Sequence, residues 1–382
     1  MAPARPRGVG RPNTPGHSKR RGLSRGSPAH AFFGTSITTV VFIHGDAFVA
    51  SGTEAHLEEV REIVCSKYLT KVRGILGPEP RDAKALIILN RVIEWRPDGI
   101  ALEADPRHVE LVLQSLGMET CKGSEVTGAA VGDSEDDSPE LSKQEQKEFR
   151  SLAARCNFLS VDRLDIQFAC KEICRRMSSP CEADWKMVKK LARFLKTHPR
   201  LVMLFEYQRP PENLSVIVDT DYAGCRRTRR STNGGMIIHG RHLIKSWATT
   251  QTVVAMSSGE AEFYGLTKGA CEGLGAVGLV EDMTGSRMVV EVATDSSAAR
   301  GIATRRGVGK VKHLETKTLW VQDQVARGRV LIKKVDGQTN PADLLTKYLP
   351  GSKMADLLAK LPAKYVSGRH ELAPAVQEAS GG

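Results

Sequence analysis

Residues 215–224 read Ser-Val-Ile-Val-Asp-Thr-Asp-Tyr-Ala-Gly, an apolar run that halts on acids. Val and Ile in a short run bounded by a turn read as a buried strand. A carboxylate at its end then lies at the mouth of a sheet, where it is costly unless other groups meet it. Three further acids occupy comparable places. Asp295 ends the apolar segment 288–294, Glu262 lies in the first turns of a long helical pattern, and Asp343 stands just inside a helix that opens at Pro341. Alone, each is an ordinary turn residue, helix cap or solvated helix residue, and an acid in a first turn suits the helix dipole anyway. Together, in this order of strands and helices, they define a candidate site. Glu260 remains an alternative to Glu262, and Asp221 is a neighbour of Asp219.

The elements around these acids follow from periodicity. Strands are predicted at 214–219, 235–239 and 242–248, with a turn at Gly240. The stretch from Ser257 or Ser258 carries Phe263, Leu266, Ala270, Leu274 and Val277 on one helical stripe. Several glycines weaken that helix locally. A strand at 288–294, helices to 326, a strand at 329–335 and a last short helix complete a mixed five-stranded sheet with helices on its faces. Like charges crowded beside such a sheet raise one another's pKa. Divalent cations remove that cost: magnesium binds through carboxylates, waters and substrate phosphates, and two such ions suit in-line displacement at a phosphodiester.

Upstream, strand-like pieces at 37–50, 83–90 and 99–103 and helical patterns at 54–67 and near 106–116 precede a polar, acidic linker at 120–144. Three helical patterns rich in Arg and Lys follow, at 143–158, 163–177 and 182–197. Residues 1–30 carry seven Arg or Lys and no acid, so most of the net charge of +11 belongs to a Pro-, Gly- and Ser-rich tail. Such a tail, taken as 1–36, is expected to be disordered and to attract nucleic acid only electrostatically. Eight cysteines occur without CxxC pairs, and Cys170 and Cys174 share a helix face, which points to reduced thiols in an intracellular protein. No apolar stretch approaches the roughly 18 residues of a membrane span, and no signal peptide is recognisable. Cytoplasm or nucleus is the expected location.

Five segments in order, DTDYAGCRRTRRSTNGG, KSWATTQTVVAMSSGEAEFYGL, VATDSSAARGIA, VKHLETKTLWVQDQV and NPADLLTKYLP, resemble the ribonuclease H domain of copia-type retrotransposon Pol polyproteins. The resemblance extends upstream through the helical segment at 145–208, which resembles the connection between reverse transcriptase and ribonuclease H. VFIHGDAFVASG resembles the polymerase's metal-binding hairpin, and ILGPE with VELVLQSLGM resembles its thumb. It implies a ribonuclease H-like domain over 209–350, a truncated α+β reverse-transcriptase palm and thumb over 37–119, and a C-terminal tail over 351–382.

The resemblance also implies chemistry. Asp219, Glu262, Asp295 and Asp343 would be the catalytic and metal-binding acids, holding two Mg2+ ions, with Mn2+ able to substitute. The substrate would be the RNA strand of an RNA–DNA hybrid, cut as an endonuclease cuts it, to 5′-phosphate products. The partners would be nucleic acid and other parts of a polyprotein, and no membrane. Arg226, Arg227, Arg229 and Arg230 are candidate phosphate contacts, and His313 a candidate helper in proton transfer or product release; a solvated basic turn and a plain surface histidine are the simpler readings. Two departures stand out. Tyr222 replaces the family's usual Trp, and the polymerase hairpin has Asp46 followed by Ala47 where the family has paired aspartates. Polymerase activity is therefore expected to be lost, and a catalytically inactive remnant that binds nucleic acid is the alternative to an active nuclease.

Overall fold

The computed structural model describes residues 24–25, 31–36, 39–129, 138–309, 311–314, 316–373 and 376. These divide into two units, one running to Lys71 with Leu279–Ser286, the other holding Val72–Gly278 and the chain from Arg287 onward.

In the first unit, β1 (Ser24–Arg25), β2 (Ala31–Ser36), β3 (Thr39–His44) and β4 (Ala47–Ser51) form an antiparallel sheet, followed by α1 (Glu54–Lys67). The tail read as disordered over 1–36 thus contributes strands at 24–25 and 31–36; its remaining residues lie outside the described ones. β3 pairs with β4 from Val40 opposite Ser51 to His44 opposite Ala47, leaving Gly45 and Asp46 as a two-residue turn. Gly45 takes φ +60° there, a conformation that short hairpin turns need and glycine adopts without steric cost. Asp46 sits at the exposed tip.

The second unit begins with β5 (Ala85–Ile88), β6 (Arg91–Arg96), β7 (Gly99–Glu103) and α2 (Arg107–Ser115). The piece read as one strand over 83–90 is a hairpin arm, and β6 was not anticipated. Its turn uses Leu89 and Asn90, both at positive φ, with no glycine to signal it. Next come α3 (Lys143–Ser160), α4 (Gln167–Cys174) and α5 (Glu182–Thr197). Ser142 and Glu145 form a capping box at the start of α3. Residues 130–137 of the acidic linker lie outside the described residues.

β8 (Arg200–Glu206) follows, in a segment expected to be wholly helical. Further on come β9 (Asn213–Asp221), β10 (Thr232–His239), β11 (His242–Thr250), α6 (Ser258–Thr284), β12 (Val289–Thr294) and α7 (Ser297–Thr304). α8 (Trp320–Ala326), β13 (Val330–Lys334), a 3-10 turn at Pro341–Leu345, α9 (Gly351–Leu358) and β14 (Ala363–Val366) complete the chain. Residues 351–366, read as part of a tail, are therefore structured.

Two five-stranded sheets organise this mixed α/β unit. One has the order β11-β10-β9-β12-β13, antiparallel on the β10 side of β9 and parallel from β9 to β13. The other, β14-β8-β7-β6-β5, is antiparallel throughout and draws on three distant segments. Strand side chains alternate between faces, so Leu214, Val216 and Val218 point from β9 into one core with Phe263, Leu266 and Ala270 of α6 and Val290 and Val292 of β12. Ile217, Met236 and Ile238 leave the opposite face to pack with α2 to α5, β8 and α9 in a second core. The first sheet is buried on both sides, as a sheet with parallel strands requires.

All eight cysteines are free thiols. Cys170 and Cys174 do share a face of α4, and each donates its S–H to a carbonyl of α3, those of Cys156 and Ala153. No described helix is long and apolar enough to cross a membrane.

Candidate active site

Register brings the first two acids together. β12 runs parallel to β9 with Ala293 opposite Ile217. Asp295 and Asp219 each stand two residues further along, on adjacent strands about 4.8 Å apart. Asp295 lies just past the end of β12, and Asp219 two residues inside a β9 that runs on to Asp221 rather than ending at Asp219. Glu262 arrives from the first turns of α6, whose N-terminus is capped by Ser257, the Oγ accepting from the Glu260 N–H at 3.2 Å. The helix lies very close to the sheet. A Cβ at Gly269 would stand 2.6 Å from Cγ1 of Val218, and one at Gly273 2.7 Å from Cγ1 of Val290. The glycines that weaken α6 as a helix are what let it approach the strands.

Ligand oxygens of Asp219, Glu262 and Asp295 all lie within 4.8 Å of one another. Asp219 and Glu262 are buried and Asp295 half-buried. Burial, reinforced by the charges of Asp219 and Asp295, pushes the Glu262 carboxyl up to about 8. Burial and the nearby Asp219 raise Asp295 as well. Asp295 does not cap α7; Ser296 does, accepting from the Ala299 N–H at 3.2 Å.

Asp343 lies in the 3-10 turn, which Asn340 ties to the sheet. Its Oδ1 accepts from the Ala342 N–H at 3.0 Å and its Nδ2 donates to the Val218 carbonyl at 3.1 Å. Close packing against Gly234, the register partner of Asp219, holds the turn there; a Cβ on that glycine would meet Thr346 Cγ2 at 2.5 Å. Two residues that the motif contained but that the sequence reading did not single out act on the acids. The Thr346 hydroxyl donates to Asp219 Oδ2. Lys347 Nζ lies 2.8 Å from Asp343 Oδ1 and 3.5 Å from Asp219 Oδ2. Burial and the Asp219 charge raise the Asp343 carboxyl, opposed by its hydrogen bond to Lys347. The one available signal was the Lys four residues after Asp343, a helical pair spacing.

The choice between Glu260 and Glu262 is a matter of position. Glu260 Oε1 accepts from the Tyr264 hydroxyl at 2.6 Å, and its Oε2 accepts from the Met256 N–H at 2.8 Å and pairs with His313 Nε2 at 2.8 Å. It faces away from the acid cluster into its own hydrogen bonds, and His313 is engaged there. Asp221 is half-buried outside the cluster, raised by burial against the pull of Lys171 and Lys347. Arg226, Arg227, Arg229 and Arg230 are all exposed on the loop after β9. Cys225 anchors that loop, its Sγ accepting from the Thr228 hydroxyl at 2.9 Å and from the Arg175 guanidinium.

The donor set suits a hard divalent cation. Oxygen ligands are what magnesium takes, and Glu262 Oε2 is buried with no hydrogen-bond partner among the described residues. An orphaned carboxyl oxygen facing two other carboxylates is relieved either by a proton, which the raised Glu262 carboxyl retains, or by a cation that takes the proton's place.

No family model matches the chain. It is 30% identical over 190 residues to an uncharacterized mitochondrial protein of Arabidopsis thaliana, covering 47% of this chain and 73% of that one. It is 26% identical over 192 residues to the retrovirus-related Pol polyprotein from transposon TNT 1-94 of Nicotiana tabacum, covering 50% of this chain and 14% of that protein. The chain belongs to the copia-type retrotransposon Pol family. A further member, the Pol polyprotein from transposon RE1 of Arabidopsis thaliana, is 25% identical over 217 residues, 56% of this chain and 15% of that protein. The chain thus spans about a seventh of the length of the Pol polyproteins it matches. Among solved structures, LC11-RNase H1, isolated from compost by a metagenomic approach, overlaps 35% of this chain and 93% of its own at 17% identity. The TM-score of that overlap is 0.26.

Proposed function

We propose that this Pol-family chain is a ribonuclease H that hydrolyses the RNA strand of an RNA–DNA hybrid. The reading is carried by the convergence of Asp219, Glu262 and Asp295 within 4.8 Å, with a Glu262 oxygen left unpartnered. In the reaction a water oxygen bonds to phosphorus and the bond from phosphorus to the 3′ oxygen breaks. The products are a 5′-phosphate and a 3′-hydroxyl.

Asp219, Glu262 and Asp295 would hold the divalent ions, and Asp343 would contribute from the side of Asp219. When bound, two Mg2+ ions, or Mn2+ in their place, supply the Lewis acidity that activates the water and offsets charge on the departing oxygen. Thr346 orients the Asp219 carboxylate through its hydroxyl. Substrate is recognised through phosphates and 2′-hydroxyls across the wide minor groove, with Arg226, Arg227, Arg229 and Arg230 placed on an exposed loop beside the strand that carries Asp219. Polymerase chemistry is not proposed, since the Gly45–Asp46 turn offers one acid and is followed by Ala47.

A second reading, an inactive remnant that binds nucleic acid, is favoured by Lys347, whose ammonium already sits against Asp343 and Asp219. The two readings separate in one assay. Full-length chain is mixed with an end-labelled hybrid in Mg2+, beside Asp219→Asn. Cleavage of the RNA strand alone, abolished by Asp219→Asn and by chelator, supports the nuclease. A folded chain inert in both Mg2+ and Mn2+ leaves the remnant.

A further inference from the structure

α5 is amphipathic in an unusual way. Its buried side is apolar, with Val188, Leu191, Ala192, Phe194 and Leu195 in the core. Its exposed residues after Glu182 are Lys186, Lys189, Lys190, Arg193 and Lys196, every one a cation. The other acid of the helix, Asp184, is buried, accepts from the Cys181 N–H at 3.0 Å and pairs with Arg176. At 3.6 residues per turn the five cations fall within an arc of about 120° and span about 15 Å of helix.

A merely solvated face mixes charges of both signs, because opposite charges three or four apart help a helix and like charges there harm it. Here Glu182, four before Lys186, is the one acid on this face. Lys186 with Lys190, and Lys189 with Arg193, are like charges at that spacing, and no ion pair relieves them among the described residues. The helix dipole rewards Arg193 and Lys196 near the C-terminus but not Lys186 or Lys189. The face is also concave at one end. Lys122, Lys190 and Arg193 line a cavity of about 500 Å³ between α5 and residues 121–129. That loop is fixed by the Ser124 N–H, which donates to the Arg193 carbonyl at 3.1 Å and to Thr197 Oγ1 at 2.8 Å. Its acid, Glu125, turns to His198 at 2.9 Å.

We infer that the cationic face of α5, with Lys122, docks the phosphate backbone of the RNA–DNA hybrid, remote in sequence from the acids that would cut it. A line of ammonium and guanidinium groups on a rigid helix matches a line of phosphates, and reads no base. The choice of a hybrid as the polyanion rests on the ribonuclease H reading; the surface itself does not.

The test is binding of a fluorescent hybrid to the full chain in EDTA, where nothing is cleaved, across a salt series. The variant carries Lys186→Gln, Lys189→Gln, Lys190→Gln, Arg193→Gln and Lys196→Gln together. All five side chains are exposed, so the thermal midpoint is expected to hold or rise slightly as the repulsion goes. Affinity is expected to fall at least about tenfold near 0.1 M salt, and the slope of log K against log salt to flatten by about 0.9 for each phosphate no longer neutralised. An unchanged affinity and slope in a folded variant overturns the inference, as does an equal loss for poly-glutamate of matched charge. A chain that binds through this face yet cleaves nothing in Mg2+ keeps the surface and removes the nuclease.

Discussion

The two five-stranded sheets of the second unit are built by opposite strategies. The β11-β10-β9-β12-β13 sheet comes from one continuous stretch and holds the acids at the shared ends of its parallel strands. The β14-β8-β7-β6-β5 sheet gathers strands from residues 85–103, 200–206 and 363–366. A long-range ion pair and several hydrogen bonds between distant segments hold that gathering together. Arg163 is buried and makes two hydrogen bonds to Asp165, at 2.9 and 2.7 Å, and two more to the carbonyls of Pro199 and His198. Tyr365 of β14 donates to the same Asp165 at 3.2 Å, and Arg200 clasps Glu103 across β8 and β7. The first sheet gathers four acids in a site that Lys347 neutralises only in part; the second pairs its buried charge and so ties distant segments into one core.

Ending the chain at Pro350 tests whether the second sheet is needed at all. It deletes β14 and the buried Met354, Leu357, Leu358 and Leu361. At about 2–5 kcal/mol for each large core side chain removed, the loss rivals the whole stability of about 5–15 kcal/mol of a typical domain. Thermal unfolding followed by circular dichroism should lose its cooperative transition. A truncated chain that melts as the full one does would show that the sheets are independent.

The next effect belongs to the acid cluster. Glu262 keeps its proton up to about pH 8 in the folded chain against 4.5 unfolded. Between those values unfolding releases a proton, so stability falls as pH rises, by an amount on the order of 5 kcal/mol at most. Urea unfolding in chelator from pH 4.5 to 8.5 should show that decline. Glu262→Gln should flatten it, and Mg2+ should offset it at the upper end. A flat profile in the unsubstituted chain would mean the acids do not crowd one another.

Arg163→Ala should cost about 3–5 kcal/mol, because it leaves Asp165 charged and buried without its partner. Equilibrium urea unfolding reads this directly, and a cost below about 1 kcal/mol would break the contrast between the sheets. Asp219→Asn should do the reverse, leaving the fold intact while hydrolysis drops by about 10²–10³-fold through loss of several kcal/mol of transition-state stabilisation. Lys347→Met is the mildest change. It removes a half-exposed cation that lowers the Glu262 pKa, and so should move the pH-dependent decline upward while altering stability by less than about 1 kcal/mol.

The legibility of the two sheets differs for a physical reason. Periodicity is local, so it marked α1, α2, α5 and α6 closely, and the strands β9 to β13 within a few residues. The acids at their ends were visible as interruptions of apolar runs. β6 went unseen because its turn uses Leu89 and Asn90 rather than glycine, and β8 and β14 because each follows within a few residues of a helix, α5 or α9, and pairs only with segments distant in sequence. Which strand lies beside which is settled by burial of distant surfaces, and no local pattern encodes it.

By itself, the sequence determined most elements of the 213–345 region, three of the acids with Glu260 or Glu262 as the fourth, the family, and the Arg and Lys richness of the helices before it. These depend on residue type and on spacings of two to four positions. Only the tertiary structure decided that Asp219 and Asp295 share a register, that Glu262 rather than Glu260 completes the cluster, that Lys347 leans on Asp343, and that residues 351–366 finish a sheet begun at Ala85. Those outcomes depend on how closely α6 can approach β9 and on which buried charges find partners across the fold, quantities that exist only once the chain is packed.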